Sequence, residues 1–163
     1  MRVPRPLLLV DFDGVLNPFA AAECPEGFTE YALDDFPGDD PVRLNPVHAR
    51  WLDDLSARYD LAWASACPQD LNACCGRLVQ LAPMPRVPMP APPFPADVKV
   101  EHVAAFAGER AVAWIDDAFG DTARRWARER RAPTLLVDAD PAIGLTVAIV
   151  ETVAAWPDSL EMP

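Results

Sequence analysis

Lysine is almost missing from this sequence: Lys99 is the only one in 163 residues, and every other basic side chain is arginine. Histidine is nearly as scarce, with His48 and His102 alone, both at helical positions. The four cysteines, at 24, 67, 74 and 75, form no C-x-x-C pair and lie far from either histidine in the chain. A zinc site is therefore not supported, and the cysteines read as small core residues. No apolar run approaches the ~18 residues that a membrane span needs; "LLLV" and "IGLTVAIV" fit a core strand and the start of a helix. The opening "MRVPRPLLLVDFDG" has too short an apolar part and too early an acid for a secretory signal, so a cytoplasmic enzyme or binding protein is expected.

Positive charge is short as well. Against 25 acids stand 14 Lys plus Arg, a formal charge of -11 that repels a phosphate backbone unless a local patch overrides it. The one basic block, "RRWARERR" from Arg124 to Arg131, reads as a solvated helix face around one buried ring. With 51% hydrophobic residues and no low-complexity polar block, disorder is not expected outside the proline-rich parts. A chain of this length buries one good core, so residues 1–163 are read as one domain.

Apolar runs and punctuation set the order of elements. "PLLLV" is a fully buried strand ending at Asp11, followed by a turn-rich insert over 18–45 in which "FTEYAL" and "PVRL" can pair as a small hairpin. Asn45 caps a helix whose first residue is Pro46 and whose Val47, Trp51, Leu55 and Tyr59 recur every fourth position. The strand "YDLAWAS" ends on Ser65, and a second helix from Pro68 carries Leu71, Cys74 or Cys75, Leu78 and Leu81. The segment 83–95, "PMPRVPMPAPPFP", can be neither helix interior nor central strand and reads as a stiff connector; a ligand for an aromatic groove is the weaker alternative. A helix with Val98, His102 and Phe106 on one face leads to the strand "AVAWI", which ends on Asp116 and Asp117. The basic helix, the strand "PTLLV" and a closing helix "LTVAIVETVAAW" complete the chain. Strands with continuous rather than alternating apolar residues, separated by helices, predict an α/β fold with a mostly parallel sheet covered on both faces.

Right-handed crossovers put the carboxyl ends of parallel strands on one edge, where ligands gather. Asp11, Ser65 and the pair Asp116 and Asp117 fall at such ends, each from a different strand. Aspartate is a good turn former and would explain any one of them. Turn aspartates would scatter over both edges, however, whereas these converge on one site. Crowded carboxylates need a cation to stay ionised, and hard oxygen ligands suit Mg2+ better than zinc.

The segment "DFDGV", the strand-end Ser65, Lys99 and the acid pair of "WIDD", in that order, resemble the four signature motifs of the haloacid dehalogenase-like (HAD) hydrolase superfamily, most of whose members are magnesium-dependent phosphohydrolases. The resemblance spans Asp11 to Asp117 and implies a three-layer, Rossmann-like core. It also implies catalytic roles for Asp11, Asp13, Ser65 and Lys99. Asp11 would attack phosphorus and become an aspartyl-phosphate. Asp13 would protonate the leaving oxygen, later deprotonate water, and lend its backbone carbonyl to the metal. Ser65 and the backbone amides after Asp11 would donate to phosphoryl oxygens; an N-cap serine or a merely buried hydroxyl is the plainer alternative. Lys99 would neutralise the phosphate and the nucleophile; a surface lysine reaching for Glu101 or Asp97 is the plainer reading there. Asp117 would be the direct metal ligand besides Asp11 and Asp13, with Asp116 orienting Lys99 or metal-bound water, and Asp121 would join if its loop turned inward.

The insert over 18–45 and the stretch before Lys99 are too short for a large cap domain, so an open core with a small hairpin flap is expected. "LLVDFDGVLNP", "WAS", "WIDD" and "PAIGLT" also resemble the branch of HAD domains grouped with multi-domain RNA-repair proteins. The expected activity is a Mg2+-dependent phosphomonoester hydrolase on a phosphorylated substrate of unknown class. A nucleic-acid end (3'- or 5'-) phosphatase, disfavoured by the net charge, and a catalytically idle interaction module remain as alternatives.

Overall fold

A computed structural model of the chain describes residues 5–34, 36 and 40–160. Among these, the elements run β1 (Leu7–Val10), β2 (Thr29–Tyr31), β3 (Val42–Leu44), α1 (Pro46–Ser56), β4 (Asp60–Trp63), α2 (Leu71–Val79), α3 (Val98–Ala107), β5 (Val112–Asp116), α4 (Asp121–Glu129), β6 (Thr134–Asp138) and α5 (Val147–Leu160). β1, β4, β5 and β6 form a parallel sheet in the order β4-β1-β5-β6, with Leu7 of β1 level with Asp60 of β4 and Val112 of β5. No helix is long and apolar enough to cross a membrane among the described residues.

The burial of β1 explains the layering. All four of its residues are buried, and successive side chains point to opposite faces, so both faces must be covered. Leu8 and Val10 join Leu52 and Leu55 of α1, Leu71, Cys75 and Val79 of α2 and Val153 of α5 in one apolar cluster. Leu7 and Leu9 join Val100, Val103 and Ala107 of α3 and Ala123 of α4 in the other. The result is the three-layer α/β sandwich expected from the uninterrupted apolar strands. Between β1 and β5 the outgoing connections diverge to opposite faces, which opens a crevice at their carboxyl ends.

The insert holds its small hairpin, β2 and β3, paired antiparallel with Thr29 opposite Leu44. Val42 and Leu44 are buried in the core, so the flap is anchored through β3. Among the described residues no large cap stands over the sheet. Asn45 caps α1 as expected, its Oδ1 accepting from Val47 N at 3.0 Å. The proline-rich segment touches the sheet edge: Trp63 N donates to Pro85 O at 2.9 Å and Val87 N to Trp63 O at 2.8 Å, and Val87 is wholly buried. Prolines, lacking an N–H, are tolerated at such an edge.

Several helix faces differ from the expected ones. On α1 the buried residues are His48, Ala49, Leu52 and Leu55, while Val47 and Trp51 are half-exposed, because a wide stripe rather than a single every-fourth row meets the core. On α3 the inward stripe is Lys99, Val100, Val103 and Ala107, and Val98, His102 and Phe106 lie at its margin. α2 begins at Leu71, with Asp70 as its cap accepting from Ala73 N at 3.0 Å, rather than at Pro68. α5 continues past Trp156 and carries Pro157 within it, where the fold tolerates one missing backbone hydrogen bond.

His48 is a buried titratable group outside the sheet edge. It lies between the rings of Phe28 and Trp51, with centroids 5.3 and 5.4 Å away, and its Nδ1 has no hydrogen-bond partner. Burial lowers its pKa to about 4, against a hydrogen bond with the Leu145 backbone that raises it. The folded state thus holds His48 neutral, contributing stability that is complete above the unfolded pKa near 6.5 and is lost as pH falls toward 4. Relative to His48→Gln, the wild type should lose about 2 kcal/mol of unfolding free energy between pH 7 and pH 5. Urea melts of both proteins at the two pH values measure this difference; a constant difference would show that His48 does not titrate with unfolding.

Candidate active site

Three chain segments meet at the carboxyl edge of the sheet. Asp11 directly follows β1, Asp116 ends β5, and Lys99 projects from the first turn of α3. Lys99 Nζ donates to Asp11 Oδ2 at 2.6 Å and to Asp116 Oδ2 at 2.8 Å, and all three residues are buried. The surface-lysine reading is therefore overturned: Lys99 sits on the inward stripe of α3, between the two central strands. Burial by itself would lower the ammonium's pKa, yet the adjoining charges of Asp11 and Asp116 outweigh it and leave the pKa raised.

The carboxylates show the strain of crowding. Asp11, Asp116 and Asp117 each offer an oxygen within 4.8 Å of the others. Burial pushes Asp11 up to about 7, with Lys99 pulling it down and Asp116 pushing it further up. Asp117 is likewise raised, by burial first and by the charge of Asp116 second. Burial raises Asp13 against the lowering effect of its hydrogen bond from Asn17. One ammonium does not balance this group, and the donors are all hard oxygens; the set fits a magnesium-type cation and not a soft metal. Asp116 has both oxygens engaged, Oδ2 with Lys99 and Oδ1 with Ala118 N at 3.0 Å, which suits an orienting part. Asp121 is exposed at the start of α4 and lies outside the group.

The turn after β1 presents Asp13. Asp13 Oδ1 accepts from Asn17 Nδ2 at 2.8 Å, while Asn17 Oδ1 accepts from Arg43 N at 3.0 Å. Asn17 thereby ties Asp13 to β3 of the flap, a link missed in the sequence even though Asn17 lies only four residues beyond Asp13. The amides expected to face a phosphoryl group are otherwise occupied in part: Phe12 N donates to Asp11 Oδ1 at 2.7 Å and Gly14 N to Asn17 O at 2.8 Å.

Ser65 lies two residues beyond β4, is buried, and its Oγ accepts from Cys67 N at 3.1 Å, which leaves its proton available to a ligand. It is not a helix cap, since Asp70 fills that place for α2. Arg86, from the proline-rich segment, clamps the Ser65 loop by donating to Ser65 O at 3.1 Å, to Gln69 O at 3.0 Å and to Cys67 O. Nothing in the spacing of Arg86 signalled that role, because the contact closes a loop of about 20 residues.

Gly14 adopts φ +79°, and a Cβ there would lie 2.3 Å from Asp117 Cγ. The first acid motif can approach the second only because this residue has no side chain. Gly14→Ala should therefore displace Asp117 and the Asp13 turn, lowering stability by at least about 1 kcal/mol and weakening divalent-cation binding. Thermal melts and calorimetric magnesium titration check this; a fully tolerated alanine would mean that the turn and Asp117 are not in contact.

No protein-family model and no curated protein matches this sequence. Among solved structures, the chain is similar to the HAD domain of the effector protein Lem4 from Legionella pneumophila, with a TM-score of 0.57 at 9% identity over 98% of this chain and 95% of that one. An inactive mutant of the same domain gives a TM-score of 0.58 at 10% identity, covering 98% of this chain and 94% of that one. A hypothetical protein from Xanthomonas campestris gives 0.48 at 14% identity, over 96% and 86% of the two chains. With its parallel sheet, small flap and missing cap, the chain has the fold of a HAD domain.

Proposed function

We propose that the chain is a Mg2+-dependent phosphomonoester hydrolase that works through an aspartyl-phosphate on Asp11. The observation that carries this reading is the buried contact of one ammonium with two strand-end carboxylates, Asp11 and Asp116, beside Asp117. A purely structural ion pair has no need of the further acids around it, and burying charge costs several kcal/mol per ion. A reactive carboxylate and a cation site account for both.

Asp11 would attack phosphorus while the P–O bond to the leaving group breaks, and Asp13 would pass its proton to the departing oxygen. The upward push of burial on Asp13 favours its carrying that proton. In the second half Asp13 would take a proton from water as the water oxygen attacks phosphorus, and the P–O bond to Asp11 would break to release phosphate and restore the carboxylate. Lys99 would hold the Asp11 carboxylate in place and offset the charge of an incoming phosphate, and Ser65 would donate to a phosphoryl oxygen. Asp11, Asp117 and the Asp13 backbone carbonyl would hold Mg2+, with Asp116 behind them. Bound there, the ion supplies positive charge to the phosphoryl oxygens in the transition state. No residue of the four motifs is broken, which weighs against an idle interaction module.

Phosphate release from an aryl phosphate should vanish with excess chelator, return with Mg2+, and be abolished in Asp11→Asn, because an amide cannot form the acyl-phosphate. Turnover that ignores the chelator would sink the reading.

Lys99→Met should lower turnover by at least about a hundredfold. It should also cost on the order of 3–5 kcal/mol of stability by leaving two buried carboxylates without their partner. Because a divalent cation would then supply the missing positive charge, magnesium should raise the melting temperature of Lys99→Met more than that of the wild type. Equal shifts in the two proteins would separate Lys99 from the cation site.

A further inference from the structure

Beside Asp13 opens a cleft of about 570 Å³ that the chemistry above does not use. Its lining comes from segments far apart in the chain: Phe19 and Phe36 of the flap insert, Val42 of β3, Cys67 of the Ser65 loop, and Pro92 and Pro93 of the proline-rich segment. Among the described residues, the only charged ones that line it are Asp13 and Asp40, with no arginine and no lysine. Asn17, its one amide, is already spent on Asp13 and on Arg43 N. Phe36 is seated on Phe12, with ring centroids 5.8 Å apart, and Phe12 in turn packs on Trp63 at 6.3 Å. Phe19 is 53% exposed, one of three large apolar side chains so exposed among the described residues.

Resting on the phosphomonoesterase reading, we infer that this cleft receives the leaving group of the ester, and that the leaving group is an aromatic alcohol or phenol carrying no second anionic group. The placement follows from Asp13: the group that protonates the leaving oxygen must touch it, so whatever that oxygen carries extends into the space that Asp13 borders. The chemistry follows from the lining. Two phenyl rings, four prolines and a valine reward a flat apolar body by removing it from water and by ring contact. A sugar would bring several hydroxyls against walls that are mostly apolar and offer chiefly the carboxylates of Asp13 and Asp40, so most of those hydroxyls would be left unpaired, which is unfavourable. A nucleotide, an oligonucleotide end or an acid phosphate would bring a second negative charge against Asp13 and Asp40 with no cation to receive it. The proline-rich segment thus gains a part: a rigid wall that needs no backbone donors and keeps the cleft open.

The test uses esters with alkyl leaving oxygens of similar basicity, so that chemical reactivity does not masquerade as recognition: 2-(2-naphthyl)ethyl phosphate, glycerol 1-phosphate and a carboxylate-bearing alkyl phosphate. With wild-type protein and Mg2+, kcat/KM on the naphthyl ester should exceed that on the other two by at least about tenfold. Phe19→Ala, at an exposed position that leaves the core intact, should shrink that ratio by several-fold. A second readout needs no turnover: 2-(2-naphthyl)ethanol, which lacks the phosphoryl group, should shift the ring resonances of Phe19 and Phe36, and less so in Phe19→Ala. Hydrolysis without aromatic preference, or with preference for the carboxylate-bearing ester, would overturn the cleft assignment and leave the hydrolase standing. Binding of the alcohol without hydrolysis of any ester would do the reverse, supporting an aromatic site while removing the hydrolase. No shift and no preference would dispose of the inference altogether.

Discussion

The contact of Lys99 with Asp11 and Asp116 is the constraint around which the sheet edge is arranged. It joins α3 to the ends of β1 and β5, the two central strands, and places the one lysine of the chain in the crevice where their connections part. Such a buried pair adds little net stability, because desolvating the ions offsets most of their attraction. What it supplies is position. Both oxygens of Asp116 are engaged and Asp11 is held from either side, by Lys99 and by Phe12 N, so neither carboxylate is free to swing. Burial raises Asp11, Asp13 and Asp117, and the charge of Asp116 pushes Asp11 and Asp117 further up.

The flap and the proline-rich segment work on the other side of this centre. Asn17 passes the position of β3 to Asp13, Arg86 passes that of the proline-rich segment to the Ser65 loop, and Phe36 rests on Phe12, which stands between Asp11 and Asp13 in the chain. Parts of the chain without any reactive group thus set where the reactive groups lie. With no large cap among the described residues, the walls beside Asp13 come from the flap and the proline-rich segment, and they are apolar or acidic.

Much of this was legible in the order of residues. Continuous apolar strands of four or five residues, set between helices, announced a sheet covered on both faces, because a half-exposed strand would alternate. The strand-end acids followed, since the carboxyl ends of parallel strands share one edge whatever the details of packing. The helix faces were read less well. On α3 the every-fourth row beginning at Val98 fell at the margin, and on α1 Val47 and Trp51 did so while Leu55 reached the core, because a helix laid on a sheet buries a broad stripe whose centre depends on its rotation, and rotation is set by the partner.

By itself, then, the sequence determined the layer architecture and the edge at which Asp11, Ser65, Asp116 and Asp117 collect. These follow from local chemistry: apolar periodicity, turn propensity and the shared direction of parallel strands. Whether Lys99 met solvent or the two carboxylates, whether Ser65 capped a helix, and that Asn17 and Arg86 hold the acid and the serine were decided only by tertiary structure. Each of those outcomes depends on a contact between residues brought together by packing, 88 positions apart in the case of Lys99 and Asp11. No spacing along the chain encodes the direction in which a single side chain points once two layers have closed over it.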